Sequence, residues 1–280
     1  MKILITGANG MLAKAVKERL KNEELICTDV AELDITNEHD VLSFVEENKP
    51  EYIINCAAYT AVDKAEENEE LADKINAIGP KYLAIAAKKI DCTLVHISTD
   101  YVFSGNLDVE KCYKEDDEKG PVTVYGKTKL HGEELIEENA EKYYIFRTAW
   151  LYGDGNNFVR TMIKAGKERE EVSVVNDQHG SPTYSVDLAN VIADAIEKKI
   201  PYGVYHTTNE GFTTWYDFTK KIYELANIDC KVSPVTSEQF VRPAKRPKNS
   251  MLSKEKLVKA GIQIPQYEDA LKRYLNIELN

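Results

Sequence analysis

Five short runs rich in β-branched and aliphatic residues mark the first half of the chain, near Lys2 to Thr6, Leu25 to Thr28, Tyr52 to Cys56, Thr93 to Ser98 and Tyr144 to Arg147. Between them lie longer stretches, about Met11 to Lys21, Asp40 to Asn48, Glu69 to Lys89 and Tyr125 to Glu138, rich in Ala, Leu, Glu and Lys with apolar residues three and four apart. That alternation is the sequence form of a parallel sheet with crossover helices. The predicted strands are nearly wholly apolar, as strands covered on both faces must be.

After Tyr152-Gly153 the pattern becomes less regular. A helix is predicted around Phe158 to Arg169, a strand around Val172 to Val175, and a loop at Asp177-Gln178-His179-Gly180-Ser181-Pro182. Then come a helix from Val186 to Lys198, a strand around Val204 to Thr207, a helix from Trp215 to Ala226 and the segment Val241 to Lys248. The charged stretch Glu110 to Lys119 reads as a solvated loop.

A chain of 280 residues buries about three quarters of its surface on folding and needs no staple. Its 36 Lys and Arg against 47 Asp and Glu leave a net charge of −11, the wrong field for nucleic acid or an anionic membrane, so neither partner is expected. One lysine and Ile3-Leu4-Ile5 run straight into Thr6-Gly7, which leaves no room for a signal peptide's apolar region. No apolar run is long enough to span a bilayer, and a cytoplasmic location is expected. The five cysteines, Cys27, Cys56, Cys92, Cys112 and Cys230, have no C-x-x-C spacing and are expected to be reduced and mostly buried. The five histidines form no pair at metal-binding spacing, so no required metal is expected.

Directly after the first predicted strand comes Thr6-Gly7-Ala8-Asn9-Gly10-Met11-Leu12-Ala13, opening a helix. Gly7 and Gly10 permit a tight turn and close backbone approach, so a pyrophosphate can sit on the free N–H groups at that helix N-terminus. A plain turn is the competing reading, since the third glycine of the fingerprint is replaced by Ala13. Asp29, 22 residues past Gly7 at the end of the second predicted strand, adds a second match: an acid there can bind ribose hydroxyls. Asp34-Ile35 can flank an adenine, and the small residues of Asn55-Cys56-Ala57-Ala58 let a cofactor lie close.

Tyr125 and Lys129 share one face of a predicted helix. An adjacent ammonium and a cationic nicotinamide would lower the phenol's pKa enough for acid-base work near neutral pH. Tyr216 and Lys220 repeat the spacing and read as an ordinary surface pair. Tyr125 stands apart because Ser98-Thr99-Asp100 ends a predicted sheet strand, where open α/β sheets bind their ligands. Asp100 fits a turn-closing role equally well, and Trp150, following a strand, fits core packing.

Taken together these residues resemble the extended short-chain dehydrogenase/reductases, and within them the dTDP-4-dehydrorhamnose reductases. The resemblance spans nearly the whole chain. It is carried by the glycine loop, Asn55 to Thr60 with Ala61-Val62-Asp63-Lys64-Ala65-Glu66, Ser98-Thr99-Asp100-Tyr101-Val102-Phe103, and Tyr125 to Lys129 with Leu130, Gly132 and Glu133. It continues through Arg147-Thr148-Ala149-Trp150, Asn157-Phe158, Asp177 to Thr183 and Arg242-Pro243-Ala244-Lys245-Arg246-Pro247.

The resemblance implies that Thr99, Tyr125 and Lys129 are catalytic, and that Gly7, Gly10, Met11, Leu12, Asp29, Asp34, Ile35, Ala58, Tyr59 and Thr60 contact the cofactor together with Tyr125 and Lys129. Thr99, Asp100 and Trp150 would meet the sugar, and the basic segment would clamp a diphosphate through one or both of Arg242 and Arg246. Magnesium is tied in some members to a glutamate in the first helix, and Ala15 stands there. The expected fold is α/β, a Rossmann-type doubly wound parallel sheet over residues 1–150, with a smaller C-terminal α/β substrate region over 151–280 and about 184–205 returning to the first domain. The expected reaction is NAD(P)H-dependent reduction of a nucleotide-activated 4-keto-6-deoxysugar, giving dTDP-L-rhamnose. NADH is expected to serve at least as well as NADPH, because a carboxylate at Asp29 repels a 2′-phosphate and no arginine adjoins it. A homodimer is left open. The rivals are a sugar-nucleotide epimerase or dehydratase, the latter lacking its extra acid at Tyr101, and a noncatalytic dinucleotide-binding regulatory subunit, which had no need to keep Tyr125 and Lys129.

Overall fold

The computed structural model describes residues 1–279. Strand β1 (Lys2–Thr6) turns through Gly7 into helix α1 (Met11–Arg19), followed by β2 (Glu24–Thr28), α2 (Glu38–Asn48) and β3 (Tyr52–Asn55). Two short helices, α3 (Val62–Ala65) and α4 (Glu69–Asp73), lead into α5 (Gly79–Lys89), then β4 (Thr93–Thr99), α6 (Val124–Asn139) and β5 (Tyr143–Thr148). The second half runs β6 (Leu151–Tyr152), α7 (Phe158–Glu168), β7 (Glu171–Val175), β8 (His179–Gly180), β9 (Thr183–Tyr184), α8 (Ser185–Lys198) and β10 (Gly203–His206). It closes with β11 (Thr213–Thr214), α9 (Trp215–Ala226), β12 (Lys231–Val235), β13 (Asn249–Ser250), α10 (Glu255–Lys259) and α11 (Tyr267–Glu278).

Six strands pair in the order β10-β5-β4-β3-β1-β2, all parallel. The period-two alternation of strands divides their side chains between two faces. Ile3, Ile5 and Phe146 face α1 and α8, where they meet Val16, Leu188 and Ile192. Leu4, Ile53, Leu94 and Ile145 face the other layer and meet Val45 of α2 and Leu83 of α5. Full burial of each such side chain contributes about 1.5–3 kcal/mol, so the two layers fix the sheet from both sides. The strand order reverses between β1 and β3, and the ends of β1, β3 and β4 at Thr6, Asn55 and Thr99 border the crevice where doubly wound sheets bind ligands. No helix among the described residues is long and apolar enough to cross a membrane.

Four expectations need correction. β2 is an edge strand, with Glu24 and Cys27 exposed, so it is not wholly apolar or covered on both faces. The cysteines are not mostly buried either: Cys92 is buried, Cys27 on that edge strand is exposed, and Cys56, Cys112 and Cys230 are intermediate. The helix predicted over Glu69 to Lys89 widens into a π-helical turn at Lys74–Ile78. Pro80 has no N–H for the Asn76 carbonyl, and that carbonyl faces Gly132 of α6, where a Cβ would lie 2.1 Å from it. The stretch Glu110 to Lys119 is not simply solvated, because Glu115 is buried. Its carboxylate accepts from the His206 N–H at 3.0 Å and its carbonyl accepts from Arg147 Nη1 at 3.0 Å.

Arg147 also forms a bidentate pair with Glu133, Nε to Oε1 at 3.0 Å and Nη2 to Oε2 at 2.7 Å, with both side chains buried. Beyond residue 226, β12, α10 and α11 add elements that the sequence pattern did not mark. β12 pairs with β7, and α11 packs Leu271, Tyr274 and Leu275 into a third apolar cluster with Phe218 and Ile222 of α9.

Candidate active site

The turn after β1 places Gly7 at φ +63°, and a Cβ there would lie 2.6 Å from the Ala57 backbone nitrogen. Only glycine fits, and the result is close approach of the β1 and β3 ends. Helix α1 starts at Gly10 with no side-chain cap and no acid in its first turn, leaving its positive end open to an anion. Ala13, at the third fingerprint position, is fully buried against the sheet, where a methyl is accommodated.

Two cavities meet at this turn. One, of about 540 Å³, is lined by Gly7, Gly10, Asp29, Asp34, Ile35 and Ala58. The other, of about 470 Å³, has Gly10, Cys56, Ala57 and Ala58 in common with it and extends past Met11, Leu12 and Thr60 to Thr99, Asp100, Tyr125, Lys129 and Trp150. Asp29 is turned back onto the loop, accepting from Asn9 N at 3.1 Å and Val30 N at 2.9 Å. Lys74 lines the same cavity, so a cation does stand near Asp29 although no arginine does. Tyr59 is absent from both linings: Asn76 grips its backbone, Oδ1 accepting from Tyr59 N at 2.8 Å and Nδ2 donating to Tyr59 O at 3.2 Å, and its side chain packs against the Ala65, Ala72 and Val124 cluster.

Helix α6 delivers Tyr125 and Lys129 on one face, opened by Thr123, whose side chain accepts from Gly126 N at 3.0 Å. Glu66 of the Ala61 to Glu66 segment accepts from Val124 N at 3.0 Å, a second tie on the same helix end. Burial pushes Tyr125 up to about 12, with the Asp100 carboxylate adding to the rise and a Thr99 hydrogen bond opposing it. Lys129 has its Nζ 2.6 Å from Ile97 O and 3.0 Å from His96 Nε2, and burial brings it down to about 8.

Thr99 Oγ1 donates to Asp100 Oδ1 at 2.9 Å and accepts from Tyr101 N at 3.3 Å. Ser250 Oγ donates to the other Asp100 oxygen. Asp100 is thus a buried hub between β4 and β13, and burial raises it to about 6. Ser98 Oγ and Thr148 Oγ1 line the same cavity, buried and without a hydrogen-bond partner among the described residues, a supply of hydroxyls for a polar ligand.

Trp150 adopts φ +49°, an uncommon conformation for an aromatic residue. Its indole stacks on Trp215 at 3.7 Å and stands between the second cavity and a third of about 380 Å³. It is therefore a partition in the cleft and not core filling. Gly180 makes room for it, since a Cβ there would lie 2.7 Å from Trp150 Cε2. The third cavity has Tyr101, Phe158, Arg242 and Arg246 in its wall. Arg246 donates to Asp63 Oδ2 at 3.0 Å, while Arg242 sits over the Phe240 ring at 4.8 Å. Tyr216 and Lys220 lie elsewhere, a half-buried ring with the exposed ammonium 5.1 Å from its centroid.

Sequence reasoning assigned no role to Asn76, Asp63 or His96, although Asp63 stands in a segment that carries the resemblance. Asn76 and His96 are polar residues inside apolar elements, and that anomaly was the signal available for them. The geometry joins an anion-accepting helix end, a half-buried phenol beside a polar hub, and a cationic wall beyond a tryptophan.

The family profile described as RmlD substrate binding domain matches residues 1–279. The chain is 41% identical to a dTDP-4-dehydrorhamnose reductase of Aggregatibacter actinomycetemcomitans over 97% of both chains. Among solved structures it is similar to a dTDP-4-dehydrorhamnose reductase of Clostridium acetobutylicum, 51% identical with a TM-score of 0.96 over 100% of both chains. It is also similar to that of Bacillus anthracis in complex with NADP, 46% identical with a TM-score of 0.94 over 99% of this chain and 100% of the other.

Proposed function

Because the chain belongs to the RmlD substrate binding domain family, we propose that it catalyses the NAD(P)H-dependent reduction of the 4-keto group of dTDP-4-dehydro-L-rhamnose to dTDP-L-rhamnose. The observation that carries this reading is that Tyr125, Lys129 and Thr99 line one cavity with the glycine turn. The residues fit the cofactor: the Gly7 cradle admits no side chain, and the open end of α1 suits a pyrophosphate. Gly7, Gly10, Met11 and Leu12 would hold the phosphates, Asp29 the adenosine ribose, and Asp34, Ile35 and Ala58 the adenine side. Bound NAD(P)H supplies the hydride to the carbonyl carbon.

Tyr125 donates the proton. Its burial keeps the phenol protonated at neutral pH, so it is loaded before the carbonyl oxygen gains charge. Thr99 Oγ1 turns from Asp100 to the same oxygen and polarises it, a hydrogen bond that strengthens as charge develops in a water-poor site. Lys129 holds the nicotinamide ribose and, when protonated, offsets the charge left on Tyr125. Trp150 and Asp100 bound the sugar, and Arg246 leaves Asp63 to take the diphosphate, with Arg242 beside it.

NADH serves at least as well as NADPH, because the Asp29 carboxylate accepts ribose hydroxyls and repels a 2′-phosphate, although Lys74 tempers that repulsion. Residues 1–150 with about 184–205 form the cofactor domain and the remainder the substrate region. This division is supported by β10 pairing with β5 and by α8 packing on α1. The test is incubation with NADH or NADPH and a panel of 4-keto nucleotide sugars, following loss of reduced nicotinamide and identifying the product. Turnover of dTDP-4-dehydro-L-rhamnose to dTDP-L-rhamnose is expected. Nicotinamide oxidation only with a different nucleotide sugar would overturn the assignment.

A further inference from the structure

His96 lies in the middle of β4, fully buried, with both ring nitrogens in contact with nitrogen atoms of other side chains. The protons in this cluster can be counted. Asn55 Oδ1 lies 3.1 Å from the Ala57 backbone N–H and 2.7 Å from Thr6 Oγ1. A backbone N–H can only donate, so the oxygen of Asn55 must face it, and the Asn55 amide nitrogen faces His96 Nδ1 at 3.0 Å. Nδ1 therefore accepts. Burial holds the imidazole neutral, and a neutral ring whose Nδ1 accepts carries its proton on Nε2. That N–H faces Lys129 Nζ at 3.0 Å. An ammonium has three donors and no acceptor, whereas a neutral amine can accept from Nε2–H while donating to Ile97 O, 2.6 Å away.

We propose that His96 is a positioning residue for the reduction: oriented by Asn55, its Nε2–H docks Lys129 in its neutral-amine form and releases it when Nζ takes up a proton. The protonated side chain has no acceptor on His96 and turns its N–H groups toward the cavity it lines. Position and protonation of Lys129 are thereby linked. The charged groups around the pair agree with a local device. Glu133, one turn further along α6, favours the ammonium, but its carboxylate is engaged by Arg147 of β5. Tyr125 is the other titrating neighbour on α6. β1 and β3 present the neutral Thr6 and Asn55, and the π-helical turn presents the neutral Asn76, bonded to Thr128.

This inference rests on the reading of Lys129 as catalytic, and its test is separable from that reading. The first measurement is the long-range ¹H–¹⁵N spectrum of the ¹⁵N-histidine-labelled protein without cofactor, with the His96 signals assigned by their loss in His96→Gln. The Nε2-protonated neutral tautomer is expected across about pH 6 to 8. An Nδ1-protonated ring, or an imidazolium, would overturn the proposal whether or not the protein reduces a nucleotide sugar.

The second is the pH profile of kcat in His96→Met, which removes the N–H donor at similar volume. The alkaline limb is expected to move up by about one pH unit, with KM for the nucleotide sugar within about twofold. A folded variant whose limb stays in place, or moves down, would overturn it. If His96→Met does not fold, the tautomer of the unaltered protein decides.

Discussion

Arg246 Nη2 lies 3.0 Å from Asp63 Oδ2, and Asp63 Oδ1 also accepts from Ala244 N at 3.2 Å, so one carboxylate ties the basic loop to the short helix after β3. A diphosphate in the third cavity must compete with that carboxylate for the guanidinium. Arg246→Ala should raise KM for the nucleotide sugar by roughly ten- to a hundredfold, the loss of a charge-assisted contact of about 1.5–3 kcal/mol, with cofactor Kd unchanged. Arg242→Ala is the companion variant. Wild-type KM in both single variants would show that the clamp lies elsewhere.

Tyr125→Phe should retain cofactor affinity and lose about 10²- to 10⁴-fold in kcat, because the ring keeps its packing against Tyr101 at 5.5 Å while the proton donor is gone. Tyr216→Phe should leave kcat almost untouched. Near-normal turnover in the Tyr125 variant would refute the assignment of the proton donor.

Cofactor choice should respond to Asp29→Asn. Removing the charge relieves repulsion of a 2′-phosphate while keeping a hydrogen-bonding side chain, so the NADPH/NADH ratio of kcat/KM should rise about tenfold. Lys74→Ala should move the ratio the other way, since Lys74 lines the same cavity. Steady-state kinetics with both cofactors measure each effect, and a strong NADPH preference in the unaltered protein would contradict the role given to Asp29.

Asp100 gives a pH dependence with a definite sign. Its carboxyl is raised from 3.8 to about 6 in the folded protein, so the fold binds that proton more tightly than the unfolded chain does. The stabilisation is complete below about pH 4 and is lost as pH rises through about 6, a swing of roughly 3 kcal/mol. Asp100→Asn should remove that segment of the stability curve. Denaturant titrations of both proteins between about pH 4 and 7 read the difference directly, and parallel curves would show that the carboxyl is not perturbed.

The Arg147–Glu133 pair is buried on both sides, so removing one member strands a charge. Arg147→Met should cost about 3–5 kcal/mol, and Arg147→Met with Glu133→Leu should recover most of it. Equal losses in the single and double variants would mean that the pair matters only through its packing.

The sheet was legible because β-branched runs such as Ile3-Leu4-Ile5 and helix faces such as Leu188 to Ile196 carry their own periodicity. β2 misled because Leu25, Ile26 and Cys27 look like interior residues while sheet position, not composition, decides cover. The short pairings β8, β9 and β13 have two residues each, too few for any period to register. The meeting of Thr99, Tyr125 and Lys129 was readable from motif spacing and strand ends. The contacts that govern their state were not: Lys129 with His96, Arg246 with Asp63 and Tyr59 with Asn76 join residues whose proximity is set by tertiary packing alone.

The outermost strand on one side of the sheet, β10, comes from residues 203–206, and α8, which covers α1, comes from residues 185–198. On the ribosome the first five strands therefore emerge with one edge of β5 unpaired and the apolar side of α1 exposed. They stay so while the intervening chain is made. Exposed edges and apolar faces of that kind are where nascent chains associate wrongly. The cofactor crevice is built from the earliest part of the chain, yet the layer that supports it is completed only after Tyr205 and His206 have left the tunnel. The sensitive interval in the biogenesis of this protein thus falls between synthesis of its phosphate-accepting turn and synthesis of the edge strand that completes its six-stranded sheet.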